Sequence, residues 1–448
     1  MKDINTNFQA IIIENDDVVI KDKDKLCSDI DLLAEKIVLS DEEEQVQYYF
    51  SVIRKLSWKL GIFPVSIYSL YKARSEGKVS GFTVPSVNFR TLTYESAQAL
   101  FEVAKECEAA AFLLGIARSE IEYTRQSPFE YAALVLAAAI KTGYKGPVFF
   151  QADSLRINPI DYFRNPEGEI KKLKELIEQY VRAGFFNIDL DLSSLEDFAD
   201  SSSELHLEAI AQLTSFIRKI QPPQIEIAIG ARLKKEEGRN TTAEDLHAFM
   251  EKHRQRFSQN KGIIKLAIET GAVHGGVVMP DGSIAKVRID FDTIKKLGEI
   301  GSKHYNLAGV VQHGASTLPP EAFSKFPEHD TLEVHLATQF QNIIYDNLPL
   351  GLKERIYNWL NENLHFEREP QQTNSQFIYK TRKKALGPFK KEIYMLPADI
   401  KKSIYRKLKE EFSFLFQQLR LHNTRQVVEK FVVPTKVEDK LPDIKEGR

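Results

Sequence analysis

Eight apolar runs of strand length, each followed by a stretch of helical character, succeed one another between Gly81 and Asp346. The runs are FTVPSVNF, AAAFLLGIA, GPVFFQADS, FNIDLDLS, QIEIAIG, IIKLAIE, AGVVQHG and TLEVHLA. The spacing predicts helices over Tyr94 to Glu108, Phe129 to Thr142, Gly168 to Arg182, Glu204 to Ile220, Ala243 to Arg256, Phe291 to Lys303, a short one after Pro320, and Thr338 to Asp346. The third of these places Ile170, Leu173, Ile177, Tyr180 and Val181 on one face, as a helix covering a sheet must. Strands that alternate with helical crossovers run parallel, and eight such units close on themselves. The fold class expected is therefore α/β, a (β/α)8 TIM barrel.

A barrel of this kind takes roughly 250 residues, and the chain has 448. The remainder reads as two helical extensions: residues 1–80 before a barrel at 81–350, and residues 351–448 after it. Ser40 to Leu60 opens with a serine and four acids and then repeats apolar groups at helical spacing. Beyond Leu350, Glu354 to Leu364 and Pro397 to Val428 read as helices, and the basic stretch Lys380, Arg382, Lys383, Lys384, Lys390 and Lys391 between them reads first as a solvated face, with phosphate contact or a subunit seam as the alternatives.

Charge excludes several function classes. Lys and Arg number 61 against 63 Asp and Glu, a balance that provides no footprint for nucleic acid or an anionic membrane. No window approaches the roughly 20 apolar residues of a membrane span. Cys27 and Cys107 lie outside any metal-type spacing, which fits a reducing compartment and a cytoplasmic location.

Polar residues end several of the buried strands, where α/β barrels keep their chemistry. AGVVQHGAST ends in His313 and a small-residue turn, IKLAIETGAVHGG carries His274 and Gly275, and GPVFFQADS ends in Asp153. Gly314, Ala315, Ser316 and Thr317 leave backbone amides and hydroxyls at the mouth after the seventh strand, and Thr338 opens the helix after the eighth, the usual phosphate position of such barrels.

Taken together, these strand ends resemble those of the class II, zinc-dependent fructose-bisphosphate and tagatose-bisphosphate aldolases over roughly Gly81 to Leu348. VPSVNF resembles the opening strand with its asparagine, here Asn88, and IDLDLS resembles the fourth-strand motif with an acid and a serine, here Asp191 and Ser193. AVHGG, QHGAST and VHLATQFQ resemble the segments that in the family hold two zinc ligands and the substrate phosphate. The resemblance implies His274 and His313 as zinc ligands and Asp153 as the acid. It assigns Asn88, Asp191, Ser193, Gly275, Gly314, Ala315, Ser316, Thr317 and Thr338 to the sugar-phosphate ligand. Such barrels commonly pair, and the extended termini add to the expectation of a homodimer or larger homo-oligomer.

Two departures bear on the chemistry. The family's His-x-Asp-His pattern ends in a zinc ligand, whereas this chain has Gln151, Ala152, Asp153 and Ser154; its Glu-x-Glu-x-Gly pattern loses the second acid at Ala228. A catalytic zinc usually takes three protein ligands and keeps one position open. By position the substitute for the third is His335, at the end of the eighth strand. Arg232 beside the altered site is a candidate anion contact. Two functions follow: an aldehyde-lyase cleaving a ketose phosphate such as fructose 1,6-bisphosphate with zinc, or a zinc-deficient relative that binds sugar phosphate or serves in assembly.

Overall fold

A computed structural model describes residues 8–14, 16–197, 202–233, 239–257, 262–271, 276, 278–280, 283–285 and 288–437. Eight parallel strands close into a barrel: β1 (Val84–Asn88), β2 (Leu113–Ala117), β3 (Gly146–Arg156), β4 (Phe185–Asp191), β5 (Ala228–Arg232), β6 (Lys265–Ile268), β7 (Gly309–Gln312) and β8 (Glu333–Leu336). β8 pairs with β1, and β3 pairs with β4, so the cylinder has no free edge. A ninth strand, Ile62–Pro64, adds to the outer start of β3. A helix follows every barrel strand, among them Thr93–Glu106, Pro128–Thr142, Ala243–Arg256, Phe291–Tyr305 and Thr338–Asn347. The expected TIM barrel is the fold, with its helical additions.

Helix Pro128–Thr142 accounts for the N-terminal segment. Its sequence, PFEYAALVLAAAIKT, is apolar on all sides, and every residue from Pro128 to Ile140 is buried. Such a helix needs partners on its outer face as well as a sheet beneath it. Leu26–Leu39 and Glu43–Lys59 supply them, burying Ile30, Leu33 and Ile37 from one and Phe50, Ile53 and Leu56 from the other. The N-terminal segment also closes the barrel floor, where the Ile67 N–H donates to Asn187 Oδ1 at 3.0 Å and the Tyr71 hydroxyl donates to Glu333.

The C-terminal helix Ala398–Gln418 covers the outside of the first and last units. Phe412 packs against Phe340 and Phe89, with ring centroids 4.9 and 6.0 Å apart, and Phe416 lies 5.6 Å from Phe112. Among the described residues no helix is long and apolar enough to cross a membrane.

Inside the cylinder, side chains of alternate strand residues meet in layers, and one layer is charged. Lys265 on β6 donates to Glu333 Oε1 and Oε2 on β8 at 2.8 and 2.7 Å, to Gln151 Oε1 on β3 at 2.8 Å, and to Asp189 Oδ2 on β4 at 3.1 Å. Room for this comes from glycine: a Cβ on Gly230 of β5 would stand 2.4 Å from Asp189 Oδ1 and 2.9 Å from Lys265 Cε. Burial works against the Lys265 ammonium, but the two carboxylates outweigh it and raise its pKa. Burial likewise opposes the Glu333 charge, and Lys265 and His335 reverse the effect and lower its pKa. Removing one member of a buried ion pair leaves a bare charge, at a cost of about 3–5 kcal/mol. Lys265→Met should therefore lower the unfolding free energy by about that amount in urea denaturation; a loss under about 1 kcal/mol would mean that this layer does not hold the barrel together.

Candidate functional site

The layer above the buried lysine carries the chemistry. β3 holds one extra residue against β4, since Ala152 pairs with Ile188 and Leu155 with Leu190. Ser154 sits in this bulge with a φ of 41°. A bulge re-aims neighbouring side chains, and this one accompanies Asp153 turned into the barrel mouth. Asp153 accepts from Asn88 Nδ2 at 2.8 Å and meets His335 Nδ1 at 3.0 Å. The other imidazole nitrogen, Nε2, lies 3.0 Å from Glu333 Oε2, so His335 joins the upper carboxylate to the charged layer below. The His313 ring lies against the His335 ring, centroids 4.1 Å apart. All three site residues are buried.

The electrostatics follow from these contacts. Burial opposes a charge on His335, but Asp153 and Glu333 on its two nitrogens outweigh it and push the imidazole up to about 9. Burial would raise the Asp153 carboxyl; His335 and the Asn88 hydrogen bond overcome this and hold it well below the usual carboxylate range. With no metal bound, the shared proton sits on His335 and Asp153 is ionised.

Asp153, His313 and His335 each offer a ligand atom, and these atoms lie within 4.8 Å of one another. Two imidazoles and a carboxylate facing an open cavity suit a catalytic zinc. A second trio, Asp189, Glu333 and His335, meets the same spacing. Lys265 already lies between its two carboxylates and supplies the cation that position calls for.

The cavity at the carboxyl ends of the strands measures about 490 Å³. Of the residues expected from sequence, Asn88, Asp153, His313, Gly314, Ser316, His335 and Thr338 line it. Gly314 has a φ of 75°, the left-handed conformation that lets the chain turn into the short 3-10 segment Ala315–Thr317. The Ser316 hydroxyl accepts the Ala337 N–H at 2.9 Å, fastening this loop to the end of β8.

Other expectations need correction. Ala315 is fully buried, and neither it nor Thr317 lines the cavity. Asp191, Ser193 and Arg232, expected at the ligand, form a separate cluster. Asp191 accepts from Ser193 Oγ at 2.7 Å, Arg156 Nε at 3.0 Å and Arg232 at 3.4 Å, and Arg232 also pairs with Glu269. Two carboxylates thus neutralise Arg232, and it is not an open anion contact. Asp191 and Arg232 border only a void of about 10 Å³ behind Ser154 and His313. His274 and Gly275 lie outside the described residues.

Several residues of the site were not anticipated. Arg90, two residues beyond Asn88, bonds Glu120 at 2.7 Å, Gln341 at 3.0 Å and Thr338 at 3.3 Å. Glu120 also accepts from Asn88 Nδ2 at 2.7 Å and the Ala117 N–H at 2.9 Å, so it fixes the carboxamide that holds Asp153. The alternation that puts Arg90 on the same side of the chain as Asn88 is the signal that could have found it. The basic C-terminal stretch is only in part a solvated face: Lys380 and Lys391 are exposed, the latter paired with Asp41 at 2.6 Å, but Lys384 pairs with Glu367 and Lys390 with buried Glu130, each at 2.6 Å, and Lys380 and Lys383 line the cavity.

A closed parallel barrel with histidines, an aspartate and a small-residue loop converging on one cavity defines a TIM-barrel protein with a metal-type site at its carboxyl face. The chain belongs to the class II fructose-bisphosphate aldolase family, whose profile, described as fructose-bisphosphate aldolase class-II, matches residues 69–398. Among solved structures, the fold is similar to the YdjI aldolase from Escherichia coli K12, at 12% identity and a TM-score of 0.50 over 80% of this chain and 98% of that one. It is also similar to the fructuronate-tagaturonate epimerase UxaE from Cohnella laeviribosi, at 11% identity and a TM-score of 0.54 over 76% and 82%. Comparison with curated protein sequences finds no match.

The His335 proton must leave before the imidazole can hold a metal. Because His335 titrates at about 9, metal and proton compete throughout the neutral range. Apparent zinc affinity should fall about tenfold for each pH unit of acidification below that value. Competition with a chromophoric chelator at several pH values measures this, and a flat profile would remove His335 from the metal set.

Proposed function

We propose that this protein is a divalent-metal-dependent aldolase that cleaves and forms a carbon–carbon bond of a ketose phosphate such as fructose 1,6-bisphosphate. The observation that carries the reading is the convergence of Asp153, His313 and His335 on the cavity whose rim is the Gly314 loop. His313 and His335 would hold the metal, together with His274, which the family resemblance alone makes a ligand. When bound, the ion supplies Lewis acidity at the substrate's ketone oxygen.

The chain's own residues do the rest. Gly314, Ser316 and Thr338 hold the phosphate at the β7–β8 side of the mouth. Asp153, ionised in the resting site, accepts the proton of the hydroxyl next to the scissile bond in cleavage and returns it in condensation. Asn88, donating to Asp153 and to Glu120 together, fixes the carboxylate's direction.

One observation favours the other reading, a zinc-deficient protein that binds sugar phosphate or serves in assembly. Ser154 brings a neutral hydroxyl where the resemblance puts a third imidazole, and His335 is already satisfied between two carboxylates. Metal analysis joined to a cleavage assay on fructose 1,6-bisphosphate with added zinc separates the two. The aldolase reading predicts one zinc per chain and turnover that a chelator abolishes. It predicts that His335→Ala removes both, and that Asp153→Asn retains zinc while kcat falls by about 10²–10⁴. Purified protein without zinc and without turnover would support the binding role.

A further inference from the structure

We infer that Gln376 is a positioning residue: together with Thr373 it latches the loop after β6 to the C-terminal segment and so fixes the wall that this loop gives the cavity. The contacts stand by themselves; their effect on a ligand rests on the sugar-phosphate reading above.

The latch is made by the start of one helix. Thr373 caps helix Asn374–Thr381, its hydroxyl accepting the Gln376 N–H at 3.3 Å. In return Gln376 folds back, and its Oε1 accepts the Thr373 N–H at 3.0 Å. Glutamate would serve this capping box equally well. Only glutamine has a donor to spare, and here Nε2 donates to Val278 O at 2.8 Å. The Thr373 hydroxyl has Pro280 O at 3.0 Å, nearer than Gln376 Oε1 at 3.2 Å, and gives its one proton there. The two side chains that begin the helix thus hold two carbonyls of another loop.

The helix is itself fixed. Phe377 and Ile378 are buried. Just beyond its end Arg382 stacks over the rings of Tyr379 and Tyr345 at 4.4 and 5.0 Å and donates to Asn342 Oδ1 at 2.6 Å. Asn342 and Tyr345 belong to helix Thr338–Asn347, which follows β8. The latch therefore ties the loop after β6 to the unit of β8.

On the loop's side, Val278 pairs antiparallel with Ile284, and the Met279 N–H donates to Ser283 O at 2.8 Å. Gly276 seats the loop on the small-residue turn after β7. Its φ is 77°, and a Cβ there would stand 2.7 Å from Ile284 Cγ2 and 2.9 Å from Thr317 Oγ1. Gly276, Val278 and Gln376 line the cavity with Gly314 and Ser316. If the wall is in place in only a fraction of molecules, apparent ligand affinity falls by that fraction.

Two variants remove a latch donor and keep the capping box: Gln376→Glu is isosteric, and aspartate in Thr373→Asp caps a helix at least as well as threonine. Hydrogen exchange of the full chain, read by mass spectrometry over residues 276–285, should quicken about tenfold in each variant, with helix Asn374–Thr381 unchanged. Titration calorimetry with metal chelated should show fructose 1,6-bisphosphate bound about three- to tenfold more weakly. Thr373→Ser, which keeps cap and donor, should match the wild type in both measurements. Unchanged exchange in the two variants, quickened exchange with unchanged affinity, or quickening that includes helix Asn374–Thr381 would overturn the proposal. A wild type that binds no fructose 1,6-bisphosphate would instead overturn the sugar-phosphate reading, and exchange alone would decide the latch.

Discussion

One ammonium group at the centre of the barrel sets the terms for everything above it. Lys265 ties β6 to β8, β4 and β3 through Glu333, Asp189 and Gln151. A hydrophobic filling would serve stability as well or better, because burying charges incurs a desolvation penalty that their attraction only partly offsets. What the charged layer adds is direction. Glu333, held by Lys265, meets Nε2 of His335 and leaves Nδ1 for Asp153, so the ring has one orientation. Asn88 and Glu120 fix Asp153 from the opposite side. A chain of hydrogen bonds thus runs from the barrel floor, through Tyr71 and Glu333, to the reactive mouth.

The appended helices belong to the same design. The N-terminal pair covers a helix too apolar to face water, and its continuation supplies the tyrosine under Glu333. The C-terminal segment covers the first and last units with a phenylalanine cluster and then contributes a wall of the cavity. Truncation at either end of the barrel would therefore remove structure on which the site depends.

How much of this was legible depended on how far each signal travels along the chain. The barrel was readable because apolar runs and helical periodicity are local, and helix Ala243–Arg256 falls on its expected limits. His313, Asp153 and the Gly314 turn were readable because they end their strands. The charged layer was not: in buried strands of a parallel barrel, polar residues such as Asp189 in NIDLD or Lys265 in IKLAIE give no sign of whether they meet a partner across the cylinder. Arg232 was read as an open cation because Glu269, its partner, lies on the next strand and far along the sequence. Lys383 looked solvated for the same reason, since only the fold-back of the last hundred residues brings it over the mouth.

The central claim is that two imidazoles from β7 and β8 meet a carboxylate from β3 at a single metal position. Anomalous diffraction from a zinc-soaked crystal tests it most directly. The account predicts one strong peak within roughly 2.0–2.1 Å of a nitrogen of His313 and of His335, beside Asp153 and open to the cavity. No peak there, or a peak among other residues, would contradict it.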